Sequence, residues 1–137
     1  MNTVRIVRAG FTLALLALCL PQMGMARRLS ANTIDPLATL SANGEHIAIT
    51  GPLRTTQVEW IEMRVTVTQR TTGALAEGRL MLLGTGVDQH WQLDVDVRGR
   101  AEFEEGPATA VALAVTSRQG RTTDAHQWLV PITLHRE

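Results

Sequence analysis

The chain has 137 residues, 13 basic and 13 acidic side chains, and a formal net charge of zero at pH 7. Its basic side chains other than histidine are all arginines scattered among acids, so no basic patch indicates nucleic-acid binding. A chain of this length suits one domain with its own core.

The N-terminus has the layout of a secretory signal peptide. Arg5 and Arg8 form a basic region, the apolar run 9–20 follows, and Gly24-Met25-Ala26 is a small-residue cleavage site. The run spans 12 residues, whereas a membrane span needs about 20. A lipid-modified cysteine needs a small preceding residue, and Leu18 before Cys19 excludes that alternative. We therefore expect a cleaved signal peptide at 1–26 and a secreted or cell-envelope protein.

Cleavage after Ala26 removes the only cysteine, so the mature chain forms no disulfide. Its stability must then come from burial or from a partner. We expect a flexible segment at 27–32 and a single domain at 33–137.

Seven segments carry strand signals, and no amphipathic helix is predicted after the leader. Asn43-Gly44 is the strongest hairpin signal. The segments 60–69 and 90–97 alternate apolar and polar residues with period two, which indicates half-buried antiparallel strands. The predicted strands are 33–41, 46–51, 60–69, 76–83 with a bulge at Gly78, 90–97, 108–117 and 125–134.

The long hairpin 108–134 is expected at the centre of the domain. Its first arm is predicted to bury Val111, Leu113 and Val115, and Phe103 is expected to plug the bottom of the core. Its second arm should bury Trp128, Val130, Ile132 and Leu134. Seven short strands in about 100 residues predict an all-β fold, specifically an antiparallel immunoglobulin-like or fibronectin-like β-sandwich.

The exported layout and several short motifs resemble small, uncharacterised secreted proteins of high-GC bacteria. The motifs are Gly51-Pro52, Gln89-His90-Trp91, Gly106-Pro107-Ala108 and the segment DAHQW at 124–128. The resemblance implies a β-sandwich and an exported location, and it brings no activity. Proteins of this kind carry cysteine pairs, which this chain lacks.

The sequence contains no convincing arrangement of catalytic or metal-ligating residues, so no enzyme activity, cofactor or metal site is predicted. Ser117, Asp124 and His126 lie near one hairpin mouth, but the last two share one strand face and do not line up in series. Asp94 and Asp96 lie two apart, ~6.5–7 Å along a strand, and would need loop oxygens to hold Ca²⁺. A hydrolase or a metal-dependent enzyme is the weakest alternative.

One tripeptide, Arg-Thr-Thr, occurs in three connections, at 54–56, 70–72 and 121–123. An immunoglobulin-like topology would gather the first and third copies at one end and put the second at the other. Loops at one end of a rigid scaffold often bind ligands, and arginine with hydroxyls suits anionic groups. The predicted binding residues are Arg54, Thr55, Thr56, Asp88, His90, Arg118, Arg121, Thr122, Thr123 and Asp124.

The favoured hypothesis is a non-catalytic exported module that binds a protein or an envelope component through this loop end. The alternative is a carbohydrate-binding module centred on Trp60, the tryptophan expected to be partly exposed because it follows a polar loop. Apolar edge strands without a disulfide also make a homodimer an alternative assembly.

Overall fold

The computed structural model describes residues 28–30 and 32–137, and every regular element in these ranges is a β-strand. The all-β prediction is confirmed. The predicted signal peptide at 1–26 lies outside the described residues. No helix within the described ranges is long and apolar enough to cross a membrane. The strands are β1 (Leu29–Ser30), β2 (Leu37–Leu40), β3 (His46–Thr55), β4 (Val58–Gln69), β5 (Ala74–Thr85), β6 (Gln89–Arg98), β7 (Gly106–Arg118) and β8 (Arg121–Arg136).

The predicted immunoglobulin-like or fibronectin-like sandwich is wrong, because seven strands close into a barrel. Pairing runs in the order β3, β2, β8, β7, β4, β5, β6, and β6 returns to β3 from His46↔Asp96 to Leu53↔Gln89. The pairing is mixed, since β2 runs parallel to β8 while the other pairs are antiparallel. The short β1 extends the sheet beside the end of β3.

The interior is filled by alternate residues of each strand, as period-two side-chain geometry requires. On β4 these are Ile61, Met63, Val65 and Val67, all buried. On β7 the prediction was wrong: Ala110, Ala112 and Ala114 point inward, and Leu113 is 38% exposed. The alanines leave space for larger side chains from the facing wall. Other members of the core include Leu40, Ile47, Ile49, Leu53, Trp91, Val95, Ile132 and Leu134. Phe103 is 1% exposed, which confirms the burial predicted for it.

Gly78 marks the place where β5 leaves β6. The β5–β6 pairing covers only Leu75–Glu77, whereas the β4–β5 pairing continues to Val58↔Thr85. A Cβ on Gly78 would lie 2.9 Å from Cγ1 of Val95 and 3.2 Å from the carbonyl oxygen of Asp94. Glycine therefore permits the close crossing of the two strands. The bulge predicted here is wrong, because Gly78 pairs in register with Val65.

Residues 28–30 and 32–36 lie at the seam between β3 and β8, beyond the short β2. The amide of Asp35 donates to the carbonyl of Thr50, and the amide of Thr133 donates to the carbonyl of Pro36. Within this segment Leu29 and Ile34 are buried. Leu29 and Ser30, which lie within the segment predicted as flexible at 27–32, pair with Thr55 and Arg54 of β3.

Candidate functional site

Three connections meet at one end of the barrel. They are the β3–β4, β5–β6 and β7–β8 turns, because antiparallel strands β4, β5, β6, β7 and β8 alternate in direction. We call this the loop end. The second Arg-Thr-Thr copy, Arg70-Thr71-Thr72, lies in the β4–β5 turn at the opposite end.

Three of the ten predicted binding residues are used inside the fold. Thr55 is buried, and its hydroxyl accepts a hydrogen bond from the Gly86 amide at 3.2 Å. Thr123 donates to the Glu59 carboxylate at 3.0 Å. The Asp124 carboxylate accepts from the amide of Arg28 at 2.9 Å. These side chains hold turns and the N-terminal segment in place and are not free for a ligand.

The exposed residues among the ten predicted binding residues form two groups that β1 separates. Arg54 lies 3.6 Å from the Asp88 carboxylate on one side. On the other side Arg118 donates to the side-chain oxygen of Gln57 at 3.2 Å. Arg121 and Thr122 are exposed beside Arg118, and Thr56 is exposed in the β3–β4 turn. β1 pairs with β3, and the neighbouring Arg28 contacts Asp124 on β8, so the segment passes between the groups.

His90 lies apart from both groups, on the outer side of β6. Its Nε2 is 3.2 Å from the Asp35 carboxylate, which also accepts from the Thr50 hydroxyl at 2.6 Å. This contact ties β6 to the N-terminal segment.

Glu59 is a buried carboxylate that the sequence prediction missed. Its side chain is fully buried, Oε2 accepts from Thr123, and Oε1 has no hydrogen-bond partner. The cation beside it is Arg28, whose Nε lies 3.8 Å from Oε1. The alternation of the sequence could have indicated this burial, because Glu59 is in phase with the inward residues Ile61 and Met63. The strand was instead predicted to begin at Trp60, which left Glu59 outside it.

An apolar patch lies on the outer face near the loop end. Trp60 is 53% exposed and pairs across β4–β5 with the exposed Leu83. Val58 precedes Trp60 on the same face of β4, and Met81, 64% exposed, precedes Leu83 on β5. Across β4–β7, Trp60 pairs with Ser117, next to Arg118. We call Val58, Trp60, Met81 and Leu83, with Ser117 and Arg118 at the rim, the Trp60 surface.

The other two tryptophans belong to the interior. Trp91 is buried, and Trp128 is half-buried against the core, with its ring 5.3 Å from that of His126. Trp60 is thus the tryptophan with substantial solvent exposure, and its surroundings on β5 are aliphatic.

The residues weighed for catalysis and metal binding make other contacts. Asp124 accepts hydrogen bonds from the backbone amides of Arg28 and Ala125, and the ring of His126 lies tilted beside that of Trp128. Asp96 lies 2.9 Å from Nδ1 of His46. Across residues 28–30 and 32–137 no group of three or more His, Cys, Asp or Glu side chains has a metal-binding arrangement.

Comparisons with known proteins assign no family to this chain. No family profile matches the sequence, and no curated protein matches it. Among solved structures, the Pseudomonas fluorescens alkylpurine DNA glycosylase AlkC, bound to DNA containing an abasic-site analogue, is similar to 78% of this chain at 18% identity. The TM-score is 0.34, and the chain spans 30% of the glycosylase chain.

Proposed function

We propose that this protein is an exported, non-catalytic binding module that recognises a protein partner through the Trp60 surface. The supporting observation is the exposed Trp60–Leu83 pair, extended by Val58 and Met81. Monomeric proteins rarely expose contiguous large apolar side chains without a binding role. The leader predicted at 1–26 supports the exported location.

The composition of the surface favours a protein partner. Protein interfaces combine an aromatic and Met-rich centre with a polar rim, and Trp and Arg are enriched among the residues that dominate affinity. Here Trp60 and Met81 form the centre, and Arg118 with Ser117 stands at the rim. The loop end continues this rim through Arg121 and Thr122, so with Arg118 three of the residues predicted to bind adjoin the apolar centre.

The test is a capture experiment with the mature span, residues 27–137. Immobilised protein is incubated with envelope and culture-medium fractions, and polypeptides that survive washing are identified by mass spectrometry. We expect one retained polypeptide that Trp60→Ala loses and that Leu129→Ala keeps. Leu129 is the matched control because it is 65% exposed on β8, two strands away from β4. Equal retention by Trp60→Ala and the wild-type chain would contradict the proposal.

Carbohydrate binding through Trp60 is the second candidate, supported by the half-exposed indole face. Saccharides stack on such faces when polar neighbours bond their hydroxyls, and Ser117, Arg118 and Glu62 lie near enough in register to contribute. A polysaccharide-dependent blue shift of tryptophan emission, lost in Trp60→Ala, would favour this candidate. A flat titration across glycans, with retention of a polypeptide, would favour the protein partner.

A further inference from the structure

The part of β5 beyond Gly78 has one side without a backbone partner. On its β4 side, pairing continues from Val65↔Gly78 to Val58↔Thr85. On its β6 side, pairing ends at Glu77↔Asp96, and the described residues supply no further strand there. An edge with unpaired amides and carbonyls is a template for another strand.

The side chain of Gln89 shows which backbone groups face this edge. Its amide nitrogen donates to the carbonyl of Leu83 at 3.1 Å, and its amide oxygen accepts from the Thr85 amide at 3.0 Å. Backbone groups of one residue point to the same side, and successive residues alternate. The N–H and C=O groups of Arg79 and Met81 therefore face the edge too, and nothing else in the described chain pairs with them. Gln89 occupies the carbonyl of Leu83 and the amide of Thr85, and it leaves the edge-facing groups of Arg79 and Met81 free. We call residues 79–83 the free span.

Both faces of this free span are apolar. Leu80 and Leu82 point inward and pack on the core while remaining only partly buried. Met81 and Leu83 point outward and belong to the Trp60 surface. The single charge between Gly78 and Thr85 is that of Arg79. Lysines, prolines and bulges usually protect such edges from pairing, and this span has none of them.

A basic groove lies at the Gly78 end of the free span. Its volume is about 320 Å³, and its lining includes Arg64, Arg79 and Arg98 with Glu77. Arg64 and Arg79 both contact Glu62, at 3.1 and 3.3 Å. Arg98 makes none of the ion pairs found among the described residues, so the groove has a cation available for an incoming carboxylate.

We infer that the edge of β5 at 79–83 accepts an extended partner segment as an additional antiparallel strand. An antiparallel strand runs opposite to β5, so its C-terminal end falls at Gly78, in the arginine groove. The matching chemistry is a segment of alternating apolar residues that ends in an acidic side chain or a C-terminal carboxylate. This inference rests on the proposed function, because the edge shares Met81 and Leu83 with the Trp60 surface.

The charges at the arginine groove argue against a second copy of this chain as the occupant of the edge. If two β5 edges paired about Met81, Gly84 and Thr85 of the other copy would lie at the arginine groove. Neither residue carries a negative charge. A second copy would bring no carboxylate to Arg98, whereas an acidic partner segment would supply one.

The test uses synthetic ten-residue peptides of alternating Val and Thr and the mature span of the protein. All three probes are amidated at the C-terminus, so that they carry no C-terminal carboxylate. One probe ends in Asp-Glu, a second has the acids moved to its N-terminus, and a third ends in Asn-Gln. We expect the first to bind at least about tenfold more tightly than the others, because a carboxylate forms charge-assisted hydrogen bonds with arginine that the other probes lack at this end. Amide exchange at Arg79 and Met81 should slow in the complex.

Two variants localise the effect. Met81→Pro removes an edge-facing amide that does not bond to β4, and Arg98→Gln removes the unpaired cation. Each substitution should weaken binding of the first probe about tenfold. Leu129→Lys should leave that binding unchanged. Slow exchange at Leu80 and Leu82 reports that β4–β5 pairing is intact. Equal binding of the three probes, unchanged binding by Arg98→Gln, or edge protection that appears on concentrating the protein alone would overturn the inference. If Trp60→Ala loses the captured polypeptide while both edge variants retain it, the inference falls and the proposed function stands.

Discussion

The guanidinium Nε of Arg28 lies 3.8 Å from Oε1 of Glu59, a carboxylate with a fully buried side chain. Arg28 also donates its amide to Asp124 and its carbonyl accepts from Thr56. The N-terminal segment therefore closes the mouth of the barrel and compensates a charge that β4 places inside it.

Removing this cation should destabilise the protein. Arg28→Ala leaves Glu59 buried with less compensation, and we expect a loss of about 1–3 kcal/mol in the free energy of unfolding, read from the urea midpoint at constant slope. In a Glu59→Gln background the same substitution should cost less than about 0.5 kcal/mol. The control is Arg70→Ala, an exposed turn position at the opposite end. Equal losses in both backgrounds would show that the pair does not interact.

The close approach of the N-terminal segment to β3 depends on Gly51. A Cβ there would lie 2.3 Å from the carbonyl oxygen of Thr33 and 2.8 Å from the Trp91 ring. Gly51→Ala should cost about 1–3 kcal/mol by overpacking. Gly73→Ala is the comparison, because a Cβ there meets nothing within 4 Å and only the positive φ of 74° opposes it, at about 1–2 kcal/mol. A loss below about 1 kcal/mol for Gly51→Ala would contradict the packing described.

Hydrogen exchange should alternate along β5 in the free protein. The amides of Leu80 and Leu82 face β4 and should exchange slowly, whereas those of Arg79 and Met81 face the open edge and should exchange at least about tenfold faster. The Thr85 amide, bonded to Gln89, should be intermediate and should accelerate in Gln89→Ala. Uniform protection from Arg79 to Leu82 would show that the edge is covered.

Tryptophan quenching offers a simple check on the surface. Trp60 is 53% exposed while Trp91 is buried, so acrylamide should quench mainly Trp60. Trp60→Phe should remove most of the quenchable emission, and Trp91→Phe should leave it in place. Loss of the quenchable fraction in Trp91→Phe instead would reverse the assignment.

The sequence predicted where the strands lie, but it did not predict that they close into a barrel. Clean alternation located β4 and β6, because one polar face specifies which side is buried. On β7 both faces are apolar, so the pattern did not reveal that Ala110, Ala112 and Ala114 point inward. The pairing of β3 with β6 and the parallel contact of β2 with β8 join segments distant in sequence, and alternation carries no information about them.

The candidate site was predicted in the same uneven way. Turn residues named from the repeated tripeptide lie at one end of the barrel, and exposure was anticipated for Trp60. The internal role of Asp124 depends on Arg28, in an N-terminal segment that the sequence led us to expect as flexible. The internal roles of Thr55 and Thr123 depend on Gly86 and Glu59, and the sequence pattern does not show these contacts. β5 has an open edge because it separates from β6 at Gly78, where a bulge was predicted. Glycine is required there by the close crossing of the two strands, which the sequence does not show.

The most direct test of the account is the affinity of the captured polypeptide for the wild-type protein, Trp60→Ala and Leu129→Ala, measured by calorimetry at one salt concentration. A tryptophan at the centre of an interface contributes about 2 kcal/mol or more, so Trp60→Ala should weaken binding by about 30-fold or more while Leu129→Ala stays within about twofold. Equal affinities for the three proteins would show that the Trp60 surface is not where the partner binds.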